Sequence, residues 1–282
     1  MQFALLLVSI SAYSFQNVFR RKYGSRVTGG DFTFNAIMSL FATLYFIISA
    51  GSLSFDISVI PYALLFAVTC GVTMVAMLVA VREGSYALTN MIISYSLVIP
   101  TLYGPVFLGE SISGFAVAGL IILAASRYLV RGPREADAVR PTVKWLVALA
   151  VAFVANGMCS VSQKLQQVGQ GGLYKNEFMI VAMAALTVAF TVLALVRELG
   201  AIRKMRLDAL LPAACGLLNG VSNHMVLVLT GMMSTAIFFP ILSASSLVIS
   251  FILSLTAYRE RLLPRQMVAA GLSIVAIVLL NI

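Results

Sequence analysis

Roughly ten apolar runs of about 20 residues divide the chain, and about 20 residues is the length an α-helix needs to cross the hydrocarbon core of a bilayer. Ten such helices consume about 200 residues, leaving short connections and no space for a soluble domain. Only 10% of the 282 residues are charged, against about 25% in a soluble domain, and the mean hydropathy is +1.00. A transmembrane barrel would instead alternate in polarity over segments of about ten residues, which these runs do not do. The chain therefore reads as an all-α integral membrane protein whose first partner is the lipid bilayer.

The runs fall at about 2–19, 33–50, 59–81, 86–108, 113–130, 144–165, 177–196, 209–230, 235–258 and 265–282. The one break in composition is Arg131 to Pro141, RGPREADAVRP, which reads as a solvated link between segments 1–131 and 141–282. The net charge of +9 is not a nucleic-acid signature, because the Lys and Arg residues lie in loops between apolar runs, where they govern topology. All 19 of them except Lys164 and Lys175 sit in the loops after the odd-numbered runs. The positive-inside rule makes those loops cytoplasmic and places both termini on the extracytoplasmic side of the cell membrane. The first run follows Met1-Gln2 with no basic leader region, so no cleavable signal peptide is expected. Cys70, Cys159 and Cys215 lie inside apolar runs without metal-ligand spacing and read as small packing residues.

The halves repeat one another. Shifted by 150 positions, Thr89–Glu110 meets Phe239–Glu260: Ser96-Leu97-Val98-Ile99 falls on Ser246-Leu247-Val248-Ile249, and Glu110 on Glu260. Gly29-Gly30 matches Gly171-Gly172, Gly71 matches Gly220, Ala118-Gly119-Leu120 matches Ala270-Gly271-Leu272, and Gln16 can be set opposite Gln163. Five crossings per copy is an odd number, so the copies point opposite ways. The expected fold is ten transmembrane helices as two inverted five-helix repeats, an architecture typical of transporters with a central, alternately opened site.

With Pro100, Gly109-Glu110 and Gly119 in the first half, and Pro240, Arg259-Glu260 and Gly271 in the second, the chain resembles the drug/metabolite transporter superfamily. Its ten-helix EamA-like branch is the nearest pattern, over essentially the full length. The resemblance implies a central cavity lined largely by helices 1, 3, 4, 6, 8 and 9, and names no substrate. EamA-like proteins are commonly drawn with cytoplasmic termini, so the orientation read from the charges departs from the family pattern. The small multidrug relatives exchange protons through a glutamate buried in helix 1. Here all ten carboxylates fall in loops or at run ends, which disfavours a cationic-drug antiporter and leaves Glu110 and Glu260 as caps or loop anchors.

Polar groups inside a bilayer are costly and tend to face protein or a water-filled cavity. The sixth run carries Asn156, Ser160, Gln163 and Gln167 along one helical face. The eighth carries Asn219, Asn223 and His224 around Gly216-x-x-x-Gly220, a spacing that lets helices approach closely. The first offers Gln16, and the fourth offers Asn90, Ser94 and Tyr95 before Pro100, facing a serine stripe (Ser243, Ser246, Ser250, Ser254) in the ninth. Each set is readable as interhelical hydrogen bonding, worth roughly 0.6–2 kcal/mol a contact, or as the wall of a pathway. His224, the only histidine, is the one side chain there that titrates near neutral pH unaided. Lys164 reads as snorkelling to the interface or pairing with Glu177.

No phosphate-binding loop, nucleophile elbow or metal cluster appears, so neither an enzyme nor a cofactor is expected, and transport would be secondary. The expectation is a transporter of a small polar or zwitterionic metabolite, such as an amino acid, working as a monomer or homodimer. Gln16, Tyr95, Asn156, Gln163, Asn219, Asn223 and His224 are the recognition residues, with His224 the candidate for proton coupling. The alternatives are a membrane-embedded receptor subunit that moves nothing and a multidrug-type exporter.

Overall fold

A computed structural model describes residues 2–24, 30–83, 89, 92–93, 95–111, 113–130, 142–200, 209–242, 244–245 and 264–280. Among these there is no strand. The helices are α1 (Gln2–Gly24), α2 (Asp31–Ser49), α3 (Val59–Glu83), α4 (Val98–Phe107), α5 (Gly114–Val130), α6 (Val143–Gly169), α7 (Lys175–Arg197), α8 (Leu210–Met232), α9 (235–242) and α10 (Pro264–Leu280). Five of them, α2, most of α3, α6, α7 and α8, are long and apolar enough to cross a membrane. Their surfaces agree. On α7, Leu186, Phe190 and Ala194 are buried while Val188, Val192 and Val196 form an exposed stripe. A row of open valines is a liability in water and ordinary against lipid.

One stretch differs from its expected form. The sequence predicts a single helix over 86–108, but a 3-10 turn, Tyr95–Leu97, precedes α4. Pro100 therefore lies in the first turn of α4, where a missing N–H costs nothing; the interior proline is Pro105. Asn90, Ser94, the Arg131–Pro141 link, Ser243, the second Ser-Leu-Val-Ile and Glu260 lie outside the described residues.

The chain divides into two compact units, and each draws on both sequence halves. The first comprises Met1–Val68 and Ser162–Gly231. Within it α2 and α7 pack antiparallel along their length. At one end Glu198 accepts hydrogen bonds from Phe32 N (3.1 Å), Thr33 N (2.9 Å) and Thr33 Oγ1 (2.9 Å), satisfying the open N–H groups of the first turn of α2. Thr187 Oγ1 donates to Ser39 Oγ midway (3.0 Å), and Ser54 N donates to Glu177 at the far end (2.9 Å). Helix α8 lies on α2 in parallel: a Cβ at Gly216 would strike the Met38 carbonyl oxygen, and one at Gly220 would lie 2.6 Å from the Tyr45 ring. The Gly-x-x-x-Gly spacing thus serves close packing. Helix α8 is antiparallel to α1, with Cys215 Sγ on Gln16 O and Ser222 Oγ on Ser9 O, both 3.5 Å. Just before α3, Ser58 N donates to Asp56 Oδ1 (2.8 Å), which holds that carboxyl below its ordinary range.

The second unit comprises Thr69–Val161 and Met232–Ile282. Here α3 and α6 are antiparallel, joined by Lys144 Nζ to Glu83 Oε1 (2.6 Å) and by a cluster of Ala76, Ala80, Trp145, Leu149 and Ala152. Helix α4 runs parallel to α6, with Ile99 filling the space a Cβ at Gly157 would need. Helices α5 and α10 are antiparallel, and Ser126 Oγ donates to Ala269 O (2.7 Å). Helix α4 closes with Gly109 at φ 65° while Gly104 O accepts Leu108 N (2.9 Å) and Glu110 N (3.2 Å), a left-handed glycine just past the helix end. That turn delivers the Glu110 carboxylate to the start of α9, where Ser234 Oγ (2.8 Å), Thr235 N (2.8 Å) and Thr235 Oγ1 (2.7 Å) donate to it. In every contact above, helices of like parity run parallel and helices of unlike parity run antiparallel.

Candidate substrate-binding groups

The structure brings three of the seven candidate residues together. In the first unit Gln163 Nε2 donates to Asn223 Oδ1 (2.9 Å), and Asn223 Nδ2 donates to both Asn219 O (2.9 Å) and Asn219 Oδ1 (3.0 Å). The α8 pair meets because residues four apart share a helical face, and Gln163 reaches it because α6 runs alongside α8 in the same direction. Gln163 is buried, while Asn219 and Asn223 are half-buried. Three amides in series form a neutral, polarisable row that can offer donors and acceptors to a ligand.

Gln16 and His224 belong to the same unit but not to that row. Gln16 is buried, and its Nε2 points at the Met38 sulfur (3.7 Å), a weak acceptor. The His224 ring stacks on Phe46 (centroids 5.8 Å, 21°) and meets Tyr45 edge-on (6.1 Å, 78°). Its Nδ1 is buried with no hydrogen-bond partner. Asn156 and Tyr95 lie in the second unit, where Asn156 Nδ2 donates to Ser96 Oγ (2.6 Å), next to half-buried Tyr95.

Sequence reasoning missed a second amide row near the end of α6. Gln167 Nε2 donates to Gln166 Oε1, Gln166 Nε2 to Gln170 Oε1 (2.9 Å), and Gln170 Nε2 to Ser58 Oγ (3.0 Å). Gln166 lies to one side of the face that drew notice to Gln163 and Gln167, and Gln170 lies just past the end of α6, though four glutamines within eight positions (163–170) were signal enough. Lys164 does not snorkel outward within this unit. It is only 7% exposed, and its Nζ donates to Thr230 O (2.9 Å) in the last turns of α8, where a cation complements the carbonyl end of the helix. Among the described residues no group of three or more His, Cys, Asp or Glu side chains could hold a metal ion.

No family model and no curated protein matches the chain. It does match 27 solved chains. One of these, described simply as the crystal structure of a protein, superposes with a TM-score of 0.79 at 13% identity, over 99% of this chain and 95% of the other. At that identity the likeness concerns the fold alone: an all-helical chain with membrane-length helices.

Proposed function

We propose that the protein is a secondary transporter of a small polar or zwitterionic metabolite, such as an amino acid or related compound, working by alternating access. In this reading it has the EamA-like architecture of the drug/metabolite transporters, with ten spans in two inverted five-helix repeats. The observation that carries the proposal is the amide row Gln163–Asn223–Asn219 inside apolar helices, where polar side chains are expensive and tend to mark a pathway. Helix pairing adds support. Exchanging each helix for its counterpart five places on maps the α2/α7 and α5/α10 pairs onto themselves and turns α1/α8 into α6/α3, as an inverted duplication would. His224 is assigned proton coupling within this reading because histidine is the side-chain type whose ordinary pKa lies nearest neutral pH.

Counterflow in proteoliposomes with a mixture of radiolabelled L-amino acids tests the proposal. Replacing Asn219 or Asn156 with alanine should raise the half-saturating concentration about tenfold, equivalent to losing one net hydrogen bond of ~1.4 kcal/mol. Undiminished, saturable exchange in the N156A/N219A double variant would sink the site assignment. No exchange in the wild type, across a wider metabolite panel, would favour the receptor-subunit alternative. Orientation has its own check: a reporter fused after Ile282 should register on the outer side, and a cytoplasmic signal would reverse the topology.

A further inference from the structure

Cys70 on α3 and Cys159 on α6 form a facing thiol pair, and we propose that this pair is a site of two-electron oxidation. A hydroperoxide from the surrounding lipid would convert it to a disulfide that clamps α3 to α6. The register of the helix pair places them opposite each other. Glu83 faces Lys144, and Ala76 and Ala80 share a cluster with Leu149 and Ala152. Continuing that antiparallel register brings position 70 to position 159, and the Cys159 thiol is hydrogen-bonded to Cys70 as well as to Thr69. Both cysteines are reduced and half-buried, whereas Cys215 is fully buried in the other unit with its thiol on Gln16 O.

The reaction balances with one co-reactant. One thiol attacks the terminal oxygen of the hydroperoxide and passes its proton to the departing oxygen, so that the O–O bond breaks and an alcohol leaves while a sulfenic acid forms. The second thiol attacks the sulfenic sulfur, the S–S bond forms, and the S–O bond breaks, releasing water. The two thiols lose two electrons and the hydroperoxide gains them. Forming the disulfide brings two sulfurs already in hydrogen-bond contact to the ~2.05 Å bond length. The apolar surroundings favour this product over capture of a soft monovalent metal. A disulfide is neutral, whereas two thiolates around a monovalent cation leave a net negative charge where charge is costly to bury.

The consequence extends past the pair. Helices α3 and α6 each contribute residues to both compact units, passing between them at Val68/Thr69 and Val161/Ser162. A covalent clamp fixes the register of α3 against α6, and on the transport reading proposed above, exchange stops.

The test treats the full-length protein in liposomes with tert-butyl hydroperoxide. Non-reducing digestion and mass spectrometry should find the Cys70 and Cys159 peptides joined, with loss of two hydrogens. Dithiothreitol should reverse the link, and Cys215 should stay reactive to maleimide after denaturation. Neither Cys70→Ser nor Cys159→Ser should cross-link, and the oxidised wild type should melt higher than the reduced form. Three thiols that persist, or that each gain oxygen separately, overturn the proposal. Cross-linked protein that still exchanges the L-amino-acid mixture overturns the clamp. A reduced protein that exchanges nothing overturns the transport reading instead, while the mass and melting results still decide the thiol pair.

Discussion

Gly216→Ala is expected to destabilise the protein by about 2–3 kcal/mol, the upper part of the range for overpacking a well-filled contact. The new methyl group would meet the carbonyl oxygen of Met38 and, at 2.7 Å, the Cβ of Phe41. Neither can rotate away as the end of a flexible side chain would, so α8 and α2 must separate. Separation also loosens the stack of His224 on Phe46 two turns further along α8. Reversible unfolding in mixed micelles gives the number. Gly114→Ala is the control, because a Cβ there has nothing within 4 Å and should shift stability by no more than roughly 0.5 kcal/mol. Equal effects of the two substitutions would mean that α2 and α8 are not in close contact.

Glu110→Ala should cost a similar amount, about 2–4 kcal/mol, because it strands the Thr235 N–H and two hydroxyls that converge on one carboxylate. Glu110→Gln should lose less, since an amide oxygen still accepts although the charge at the helix N-terminus is gone. Gly104 offers an independent check: a Cβ there would strike both Thr235 Oγ1 and the Glu110 carboxylate. Gly104→Ala should therefore damage the same cap, and the double variant with Glu110→Ala should lose less than the two single losses added. Strict additivity would show that the two residues do not act on one structure.

The helices were legible where hydropathy alone decides them. The run at 33–50 became Asp31–Ser49, and that at 177–196 became Lys175–Arg197, because an apolar segment in lipid has no alternative to satisfying its own backbone. The break before Val98 was not legible. Tyr95-Ser96-Leu97 lies within a run whose overall hydropathy suffices for a helix, and a 3-10 turn carries no hydropathy signal of its own. The candidate site divided along the same line. Periodicity placed Asn219 and Asn223 on one face of one helix, and they are hydrogen-bonded to each other. That Gln163 would be the third member, that Gln16 would point at a methionine sulfur, and that Asn156 would take Ser96 depends on which helices are neighbours. Spacing along a single helix does not contain that information. Glu177 shows the same limit: its place at a helix start could be read, but not that it would hold the backbone of Ser54.

The interleaving of the two units also sets an order of events during synthesis. Helices α1 and α2 emerge first, yet their partners α7 and α8 lie beyond Ser162 in the chain. Until the ribosome has delivered them, Phe32 and Thr33 await Glu198, and Ser9 and Gln16 face lipid or transient neighbours. The intervening residues, Thr69–Val161, are inserted meanwhile and must wait in turn for α9 and α10. A nascent chain arrested before residue 175 therefore holds membrane helices without a finished core, which makes it a natural client for insertase and quality-control machinery.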